Sequence, residues 1–276
     1  MISSAEGPAE EPAGPPLGAL ELQGVELRLG ARALLGPLDL AVAPGDVVTV
    51  MGPSGSGKSS LLALICGTLE PAFVAAGRIV LDGHDLGPLP PERRRVGILF
   101  QDDLLFPHLS VAENLAFGLP STVIGKAARR QRIEEALLDA DLVGFGERDP
   151  ATLSGGQRAR IALLRTLLSD PRALLLDEPF AKLDVALRAK FRRFVFAHAR
   201  AHRLPTLLVT HDPADAEAAG GPVIELGPQP ASHPQTHTQA HEKAHEHTKP
   251  RRGAEGHGAA EIDETTADCG PVTATG

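Results

Sequence analysis

The order of hydrophobic and polar residues predicts two kinds of β-strand in this chain. Between Leu20 and Leu40 apolar and polar residues alternate, which is typical of short antiparallel strands that bury one face. Other apolar runs lack this alternation and predict buried strands, as in a parallel sheet. They are Val47–Met51, Val96–Phe100, Ala173–Leu176 and Leu207–Thr210. A further strand, Gly77–Gly83, ends in an Asp-Gly turn.

Apolar residues at helical spacing predict helices between these strands. The predicted helices are Ser60–Gly67, Ala127–Leu142, Gly155–Leu168 and Val185–His202. Ser110 and Glu113 resemble a capping box inside residues 110–148, which predicts a helical insertion. Strands that end in polar residues and alternate with helices indicate an α/β domain with a parallel sheet. Its site is expected along the edge where the strands end.

Composition and charge narrow the class of protein. The 276 residues suffice for one full core and a small second lobe, and no apolar run approaches the ~20 residues of a membrane span. The net charge is −8, but residues 1–21 carry four acidic and no basic side chains, and residues 228–276 carry seven acidic and four basic ones. This leaves −1 for residues 22–227, which favours no particular charged partner.

Residue types missing from the sequence exclude other classes. There is no Trp or Tyr, so a surface that stacks nucleic-acid bases is not expected, and neither is a nucleic-acid partner. The first residues lack a basic segment followed by an apolar one, which predicts a cytoplasmic protein without a secretion signal. Cys66 and Cys269 lie in a predicted helix and a polar tail, and no disulfide is expected between them.

A glycine-rich segment directly follows the strand Val47–Met51. It reads Gly52-Pro53-Ser54-Gly55-Ser56-Gly57-Lys58-Ser59, and Ser60 continues into a helix. The order strand, glycine loop, helix is the context of a phosphate-binding loop, where backbone N–H groups and the helix N-terminus attract an anion. Lys58 is expected to reach the β- and γ-phosphates, and Ser59 to join the shell of a Mg²⁺ ion. The segment predicts nucleotide binding.

Four polar residues follow apolar strands and are candidates for the chemistry at this edge of the sheet. Asp177 is expected to hold Mg²⁺ directly or through water, and Glu178 to orient and polarise the attacking water. Gln101 can sense the γ-phosphate, or its metal and water, with its amide group. His211 can bond to the γ-phosphate and link it to a carboxylate.

A second candidate anion site lies beyond the helical insertion. Leu153-Ser154-Gly155-Gly156-Gln157 places a serine cap and two glycines at the start of a helix. With this segment the chain resembles the ATP-binding cassette (ABC) ATPases, whose signature motif matches at Ser154–Gln157 and continues through Arg158 to Ala162. The resemblance runs from about Leu20 to Leu226, with the family's motifs in order, and includes a D-loop-like Ala181-Lys182-Leu183-Asp184 and the switch histidine His211.

The resemblance implies a P-loop NTPase fold of the ABC type. This fold has a RecA-like parallel-sheet core, an antiparallel β subdomain and a helical subdomain at about residues 102–165. The ATPase domain would span residues 19–227, between a disordered leader, residues 1–18, and a disordered His-rich tail, residues 228–276. In this family two cassettes dimerise head to tail, so that the signature of one closes on the γ-phosphate of ATP held by the other. The implied catalytic residues are Glu178, His211, Gln101 and Asp184, with Mg²⁺ held by Ser59, Gln101 and Asp177.

The resemblance also implies membrane partners. The segment Ile98–Pro107 is similar to the Q-loop region of bacterial importer ATPases, which receives a short cytoplasmic helix of an integral-membrane permease. Leu104, Leu105 and Phe106 are candidates for this contact, or fill the core of the helical subdomain. The pattern is most like ATPases for thiamine, iron, polyamine and sulfate or molybdate uptake. A substrate-binding protein and a location on the inner face of the cell membrane are therefore expected.

One position departs from the family pattern. Cassettes of this family usually stack adenine on an aromatic residue in the early strands, and Leu29 takes that place here. Apolar contact would replace stacking, which predicts a loss of ~1 kcal/mol in base affinity and a weaker preference for ATP over GTP.

Two alternative functions come from different classes. A cassette ATPase of DNA repair or of ribosomes would usually carry a long coiled-coil insertion or two cassettes, and neither is present. A metal-buffering protein is prompted by the spacing of His237, His241 and His245, with His247 close by, because a helix would align three imidazoles. Flanking Pro, Gly and Thr residues favour a solvated, disordered tail instead.

Overall fold

The structure is a computed structural model that describes residues 18–227. The predicted leader, residues 1–18, lies outside the described residues except for Gly18, and the predicted tail, residues 228–276, lies wholly outside them. The same is true of the histidines at positions 237, 241, 245 and 247.

The described residues form nine β-strands and six α-helices. The strands are β1 Leu20–Leu29, β2 Arg32–Val42, β3 Val47–Met51, β4 Phe73–Leu81, β5 His84–Asp85, β6 Val96–Leu99, β7 Ala173–Asp177, β8 Thr206–Val209 and β9 Val223–Glu225. The helices are α1 Lys58–Cys66, α2 Val111–Gly118, α3 Lys126–Asp139, α4 Gly155–Leu167, α5 Val185–Ala201 and α6 Pro213–Ala219. No helix within residues 18–227 combines the length and the apolar character that a membrane crossing requires.

The strands belong to two sheets, as the two hydrophobic patterns predict. Four strands form an antiparallel sheet in the order β2-β1-β4-β5, and five form a parallel sheet in the order β6-β7-β8-β3-β9. The alternating strand β1 buries Leu20, Leu22, Val25 and Leu27, whereas β8 is buried throughout and β7 at every position before Asp177. The carboxyl ends of the five parallel strands meet at one edge.

Three hydrophobic cores hold these layers together. The first lies between the two sheets and includes the buried face of α1. The second covers the other face of the parallel sheet with α4 and α5, around Phe180, Phe191 and Phe196. The third joins α2, α3 and α4, which makes residues 111–168 a helical unit built on one helix that also packs on the sheet. This arrangement agrees with the predicted helical insertion.

Strand β4 begins four residues earlier than predicted, because Gly77 lies inside the strand. Gly77 has φ +88°, and a Cβ built on it would lie 2.4 Å from the carbonyl oxygen of Gly24. Gly24, with φ +58°, lies where the register of β1 against β4 shifts between Gln23 and Glu26. The two glycines form a bulge in the sheet, and a glycine in a strand interior often marks such a site.

A buried arginine closes the C-terminal end of α1. Gly67, with φ +80°, ends the helix, and Arg94 is only 8% exposed. The Nη1 group of Arg94 donates to the carbonyl oxygens of Leu64 and Ile65 at 2.8 and 2.9 Å, and its Nε donates to that of Leu89 at 2.9 Å. The carbonyl oxygen of Leu64 also accepts a hydrogen bond from the N–H of Gly67 at 3.1 Å, so Arg94 adds a partner for the last carbonyls of the helix and anchors the segment before β6.

Candidate active site

The phosphate loop connects β3 to α1 at the carboxyl edge of the parallel sheet. Gly55 and Gly57 have φ of +78° and +91°, a region that L side chains rarely adopt. A Cβ built on Gly52 would lie 2.7 Å from the carbonyl oxygen of Leu226 and 2.9 Å from Ser56 Oγ, so only glycine fits there. No side chain caps the first turn of α1, which leaves its N–H groups to an anion.

Lys58 and Ser56 give the loop a polar interior. The Lys58 side chain is 8% exposed, and its Nζ donates to the carbonyl oxygens of Gly52 and Pro53 at 2.8 and 2.9 Å. Ser56 Oγ is buried without a hydrogen-bond partner in the described residues. A buried ammonium and an unpartnered hydroxyl in a glycine cradle fit the binding of a polyphosphate.

Ser59 and Asp177 meet at the end of β7. Ser59 Oγ donates to Asp177 Oδ1 at 3.4 Å, across 118 residues of sequence. Burial raises the pKa of Asp177, while the Ser59 hydrogen bond partly offsets this effect. A hydroxyl oxygen and a carboxylate oxygen side by side fit Mg²⁺, which prefers oxygen ligands and would favour the ionised carboxylate.

Glu178 and His211 form a second pair at the same edge. Oε1 of Glu178 lies 3.2 Å from Nδ1 of His211, which follows β8 by two residues. Glu178 has φ +47°, outside the usual region for a side-chain-bearing residue, and its N–H donates to the carbonyl oxygen of Val209 at 2.9 Å. Such a backbone costs on the order of 1–3 kcal/mol and is typical of functional sites.

A buried network supports the loop that carries His211, and the sequence analysis missed it. Asp215 is 3% exposed and accepts hydrogen bonds from Thr210 Oγ1 at 2.6 Å and from Arg192. The N–H of Asp212 donates to the same Thr210 oxygen, and Arg192 also pairs with the Asp212 carboxylate at 3.1 Å. The Asp212-Pro213 pair, an N-cap followed by proline, is a sequence signal that would have predicted α6 and this turn.

Arg188 connects this network to the loop after Glu178. Its Nη1 donates to Asp212 Oδ2 at 3.0 Å, and its Nη2 donates to the carbonyl oxygens of Ala181 and Leu183 at 3.4 and 3.1 Å. Arg188, Ala181 and Asp212 line a cavity of about 310 Å³ together with Glu178 and His211. That volume accommodates water molecules beside the Glu178 carboxylate.

Gln101 and Asp184 have known positions beside the site, but neither has a hydrogen bond to the other candidate site residues among the described residues. Gln101 lies two residues after Leu99, which pairs with Leu176 of β7, so it stands beside Asp177 at the sheet edge. Its side chain is exposed and makes no hydrogen bond within the described chain. Asp184 is the N-cap of α5 and accepts a hydrogen bond from the N–H of Leu187 at 2.9 Å.

The signature turn lies at the start of α4. Ser154 and Gln157 form a capping box in which each side chain accepts a hydrogen bond from the other's backbone N–H, at 3.3 and 2.9 Å. Ser154 and Gly155 are exposed, whereas a Cβ on Gly156 would lie 1.9 Å from Cδ2 of Leu187. No hydrogen bond in the described residues joins this turn to the phosphate loop, and the two candidate anion sites precede different helices, α4 and α1.

Comparisons with known proteins agree with this geometry. The profile of the family described as ABC transporter matches residues 35–181. The chain is 50% identical over 197 residues to the uncharacterized ABC transporter ATP-binding protein YnjD of Escherichia coli, which covers 71% of this chain and 90% of that protein. It is 49% identical over 178 residues to the thiamine import ATP-binding protein ThiQ of Cereibacter sphaeroides, covering 64% and 76%. Relatives named for the import of Fe(3+) ions and of spermidine/putrescine are longer, and the chain spans 57% and 59% of two of them.

A solved structure gives the same result for the fold. The dimeric, post-hydrolysis structure of the ATP-binding cassette MJ0796 with ADP and Pi superposes with a TM-score of 0.64 at 29% identity, covering 75% of this chain and 93% of that one. The predicted cassette fold is therefore confirmed. The chain belongs to the ABC transporter family, as a subunit that binds and hydrolyses ATP.

Proposed function

We propose that this chain drives the import of a solute through a separate membrane permease, as a head-to-tail dimer that closes on two ATP molecules. The observation that carries this proposal is that the chain has two candidate anion-binding turns, at the starts of two different helices. The phosphate loop precedes α1, and the exposed turn at Ser154 and Gly155 precedes α4. A two-fold related copy would bring the turn of each chain to the nucleotide of the other. The dimeric state of the MJ0796 cassette supports this arrangement.

The proposed roles follow from the pairs at the sheet edge. Lys58 and the loop N–H groups bind the phosphates, and Ser59 and Asp177 hold Mg²⁺, which when bound neutralises charge on the β- and γ-phosphate oxygens. Glu178 orients the attacking water and accepts its proton, and the 3.2 Å contact keeps the His211 ring beside that carboxylate. His211 then donates a hydrogen bond to the γ-phosphate.

Two further residues have proposed roles at the edges of this site. Gln101 is exposed beside the end of β7, where its amide can contact the γ-phosphate, or join the Mg²⁺ shell. Asp184 begins α5 beside the exposed Val185, where a partner copy can approach.

A groove on the helical unit is the proposed permease site. It has a volume of about 1,070 Å³ between α2, α3 and the loop at Val143. Leu138 and Val143, which line the groove, are 62% and 68% exposed, and Phe117 of α2, which does not line it, is 72% exposed. Such exposure is unusual for large apolar side chains on one small unit. Apolar walls with charged rims fit the apolar face of a short permease helix.

The sequence left open whether the residues after Gln101 contact the permease or fill the core of the helical subdomain, and in the structure they differ in this respect. Leu104 is 56% exposed with φ +46°, which suits contact with a partner. Leu105 packs in two of the hydrophobic cores. The ring of Phe106 lies 4.8 Å from that of Phe117 and so extends the exposed apolar surface.

The direction of transport and the substrate class rest on the relatives. The names of ThiQ and of the longer relatives describe import, of thiamine, Fe(3+) ions or polyamines. We therefore place the chain on the inner face of the cell membrane, with a substrate-binding protein that delivers a small solute. No observation in the described residues favours a role in DNA repair or on ribosomes.

A Glu178→Gln variant of the full chain tests the proposal. It should lower ATP hydrolysis by about 100-fold or more, because general-base catalysis contributes that much. It should also accumulate as an ATP-dependent dimer in size-exclusion chromatography, and an added Lys58→Ala change should abolish that dimer. Purified from its native host, the stalled variant should carry an integral-membrane permease. Recovery of ribosomes or of DNA-repair factors instead would refute the importer and leave the ATPase intact.

A further inference from the structure

Arg158 links two segments that the roles above treat separately. It lies in the first turn of α4, directly after the signature turn. Its Nε donates to Asp103 Oδ2 at 3.2 Å, and its Nη1 donates to the carbonyl oxygen of Leu153 at 2.7 Å. Leu153 immediately precedes the cap Ser154. The guanidinium of Arg158 therefore links Asp103, in the segment after Gln101, to Leu153, the residue before the signature turn.

A second arginine of α4 holds the same segment from its other side. Arg165 donates from Nη1 to the carbonyl oxygen of Leu104 at 2.9 Å and from Nη2 to that of Asp103 at 3.4 Å. Its guanidinium lies 5.4 Å from the centre of the Phe106 ring. The segment that carries the exposed Leu104 is thus attached to α4 at several points.

Of these contacts, only the one between Asp103 and Arg158 leads to the signature turn. Arg165 lies nearly two helical turns further along α4 and bonds to backbone carbonyls. The carboxylate of Asp103 and the guanidinium of Arg158 are 28% and 39% exposed, so the pair is partly shielded from solvent. Without the carboxylate, the guanidinium would lose the partner that fixes its direction toward Leu153.

We infer that Asp103 and Arg158 are a positioning pair. Through this pair, the position of the segment after Gln101, which carries Leu104 toward the proposed permease, sets the orientation of the signature turn. This inference rests on the proposed head-to-tail dimer, in which the turn acts on the partner copy's nucleotide. The pair does not contact the chain's own phosphate loop. Its loss should therefore reduce turnover and leave nucleotide binding unchanged.

The test is a double-mutant cycle on the full-length protein, with Asp103→Ala, Arg158→Ala and the double variant. Each single change should lower kcat about tenfold, equivalent to about 1.4 kcal/mol, while the Kd for ATP stays within about twofold of wild type. The double variant should lose about tenfold in total, because both changes break one link. A loss of about a hundredfold in the double variant, or a parallel rise in the ATP Kd, would overturn the inference.

Controls separate this result from a folding defect and from failure of the proposed function. Asp103→Asn keeps the shape of the side chain, so it should fold as wild type and still lower kcat without changing the Kd. Arg78→Ala removes a surface ion pair with Asp85 in the antiparallel sheet and should leave kcat unchanged. If the Glu178→Gln variant with no other change forms no ATP-dependent dimer, the proposed function is refuted. A normal wild type with fully active Asp103 variants refutes only this pair.

Discussion

The two glycines of the signature turn should respond in opposite ways to the same substitution. A Cβ on Gly156 would lie 1.9, 2.6 and 2.9 Å from three carbon atoms of Leu187 on α5. A Cβ on Gly155 would meet only Arg158 Nη2, at 3.8 Å, which is an ordinary contact. Neither glycine has a left-handed backbone, so alanine can adopt both conformations.

The expected magnitudes follow from these distances. For Gly156→Ala, Leu187 must change rotamer or α4 must move away from α5, at a cost of about 1–3 kcal/mol. The smaller entropy of the unfolded alanine chain returns about 0.4–1 kcal/mol. The net loss of ~1–2 kcal/mol should lower the thermal midpoint by about 5 °C in a domain of this size. Gly155→Ala meets no overlap, so its midpoint should stay level or rise by about 1–3 °C.

Differential scanning calorimetry and ATPase assays on the two variants test this reasoning. Gly155→Ala adds a methyl group to the exposed face of the turn, where the proposed dimer places the partner's nucleotide. It should therefore lose about tenfold or more in kcat without losing stability. Equal midpoints for the two variants, or a lower midpoint for Gly155→Ala, would show that the close approach of α4 to Leu187 is wrong.

Three further predictions concern other parts of the chain. Asp215→Ala removes the buried partner of Arg192, which keeps only its contact with the more exposed Asp212. It should lower the free energy of unfolding by about 3 kcal/mol, measured by urea denaturation, and a loss below about 1 kcal/mol would contradict the buried network. Leu29 is 41% exposed and lies opposite Phe73 in β4, and Leu29→Tyr should tighten ATP binding about fivefold through ~1 kcal/mol of stacking on adenine. Wild type should hydrolyse ATP and GTP at rates within about tenfold of each other, and a strong wild-type preference for ATP would refute this. Burial lowers the pKa of His198 from 6.5 to about 4, so between these pH values the unfolded chain binds a proton that the folded chain does not. The free energy of unfolding should therefore fall by about 1 kcal/mol as the pH drops from 6.5 to 4, and it should fall less in His198→Gln.

The elements that position the nucleotide could be predicted because their signals are local. The apolar run Val47–Met51, the glycines after it and the cap at Ser154 each determine a short piece of backbone, and each was observed where the sequence placed it. The predicted helix Val185–His202 is observed with an end only one residue earlier. Periodicity and caps act within a few residues, so one sequence contains all the information they need.

The features that could not be predicted depend on contacts between distant segments. The bulge of Gly24 on Gly77 requires the register of β1 against β4, and a glycine within a sequence more often marks the start or end of a strand. The link from Arg158 to Asp103 crosses 55 residues, and both residues are ordinary charged positions in the sequence. The left-handed backbone of Glu178 has no sequence signal either, since glutamate rarely adopts it.

The closure of α1 by Arg94 has a consequence for how the phosphate site responds to salt. The anion-binding end of this helix is open to solvent at Ser54 and Gly55, where dissolved ions screen charge over a Debye length of about 8 Å at physiological ionic strength. The opposite end meets a guanidinium that is 8% exposed, bound to carbonyl oxygens, and sheltered from those ions. Added salt should therefore weaken the attraction for phosphate at the exposed end of the helix, while the buried Arg94 cation that balances the negative end is screened much less.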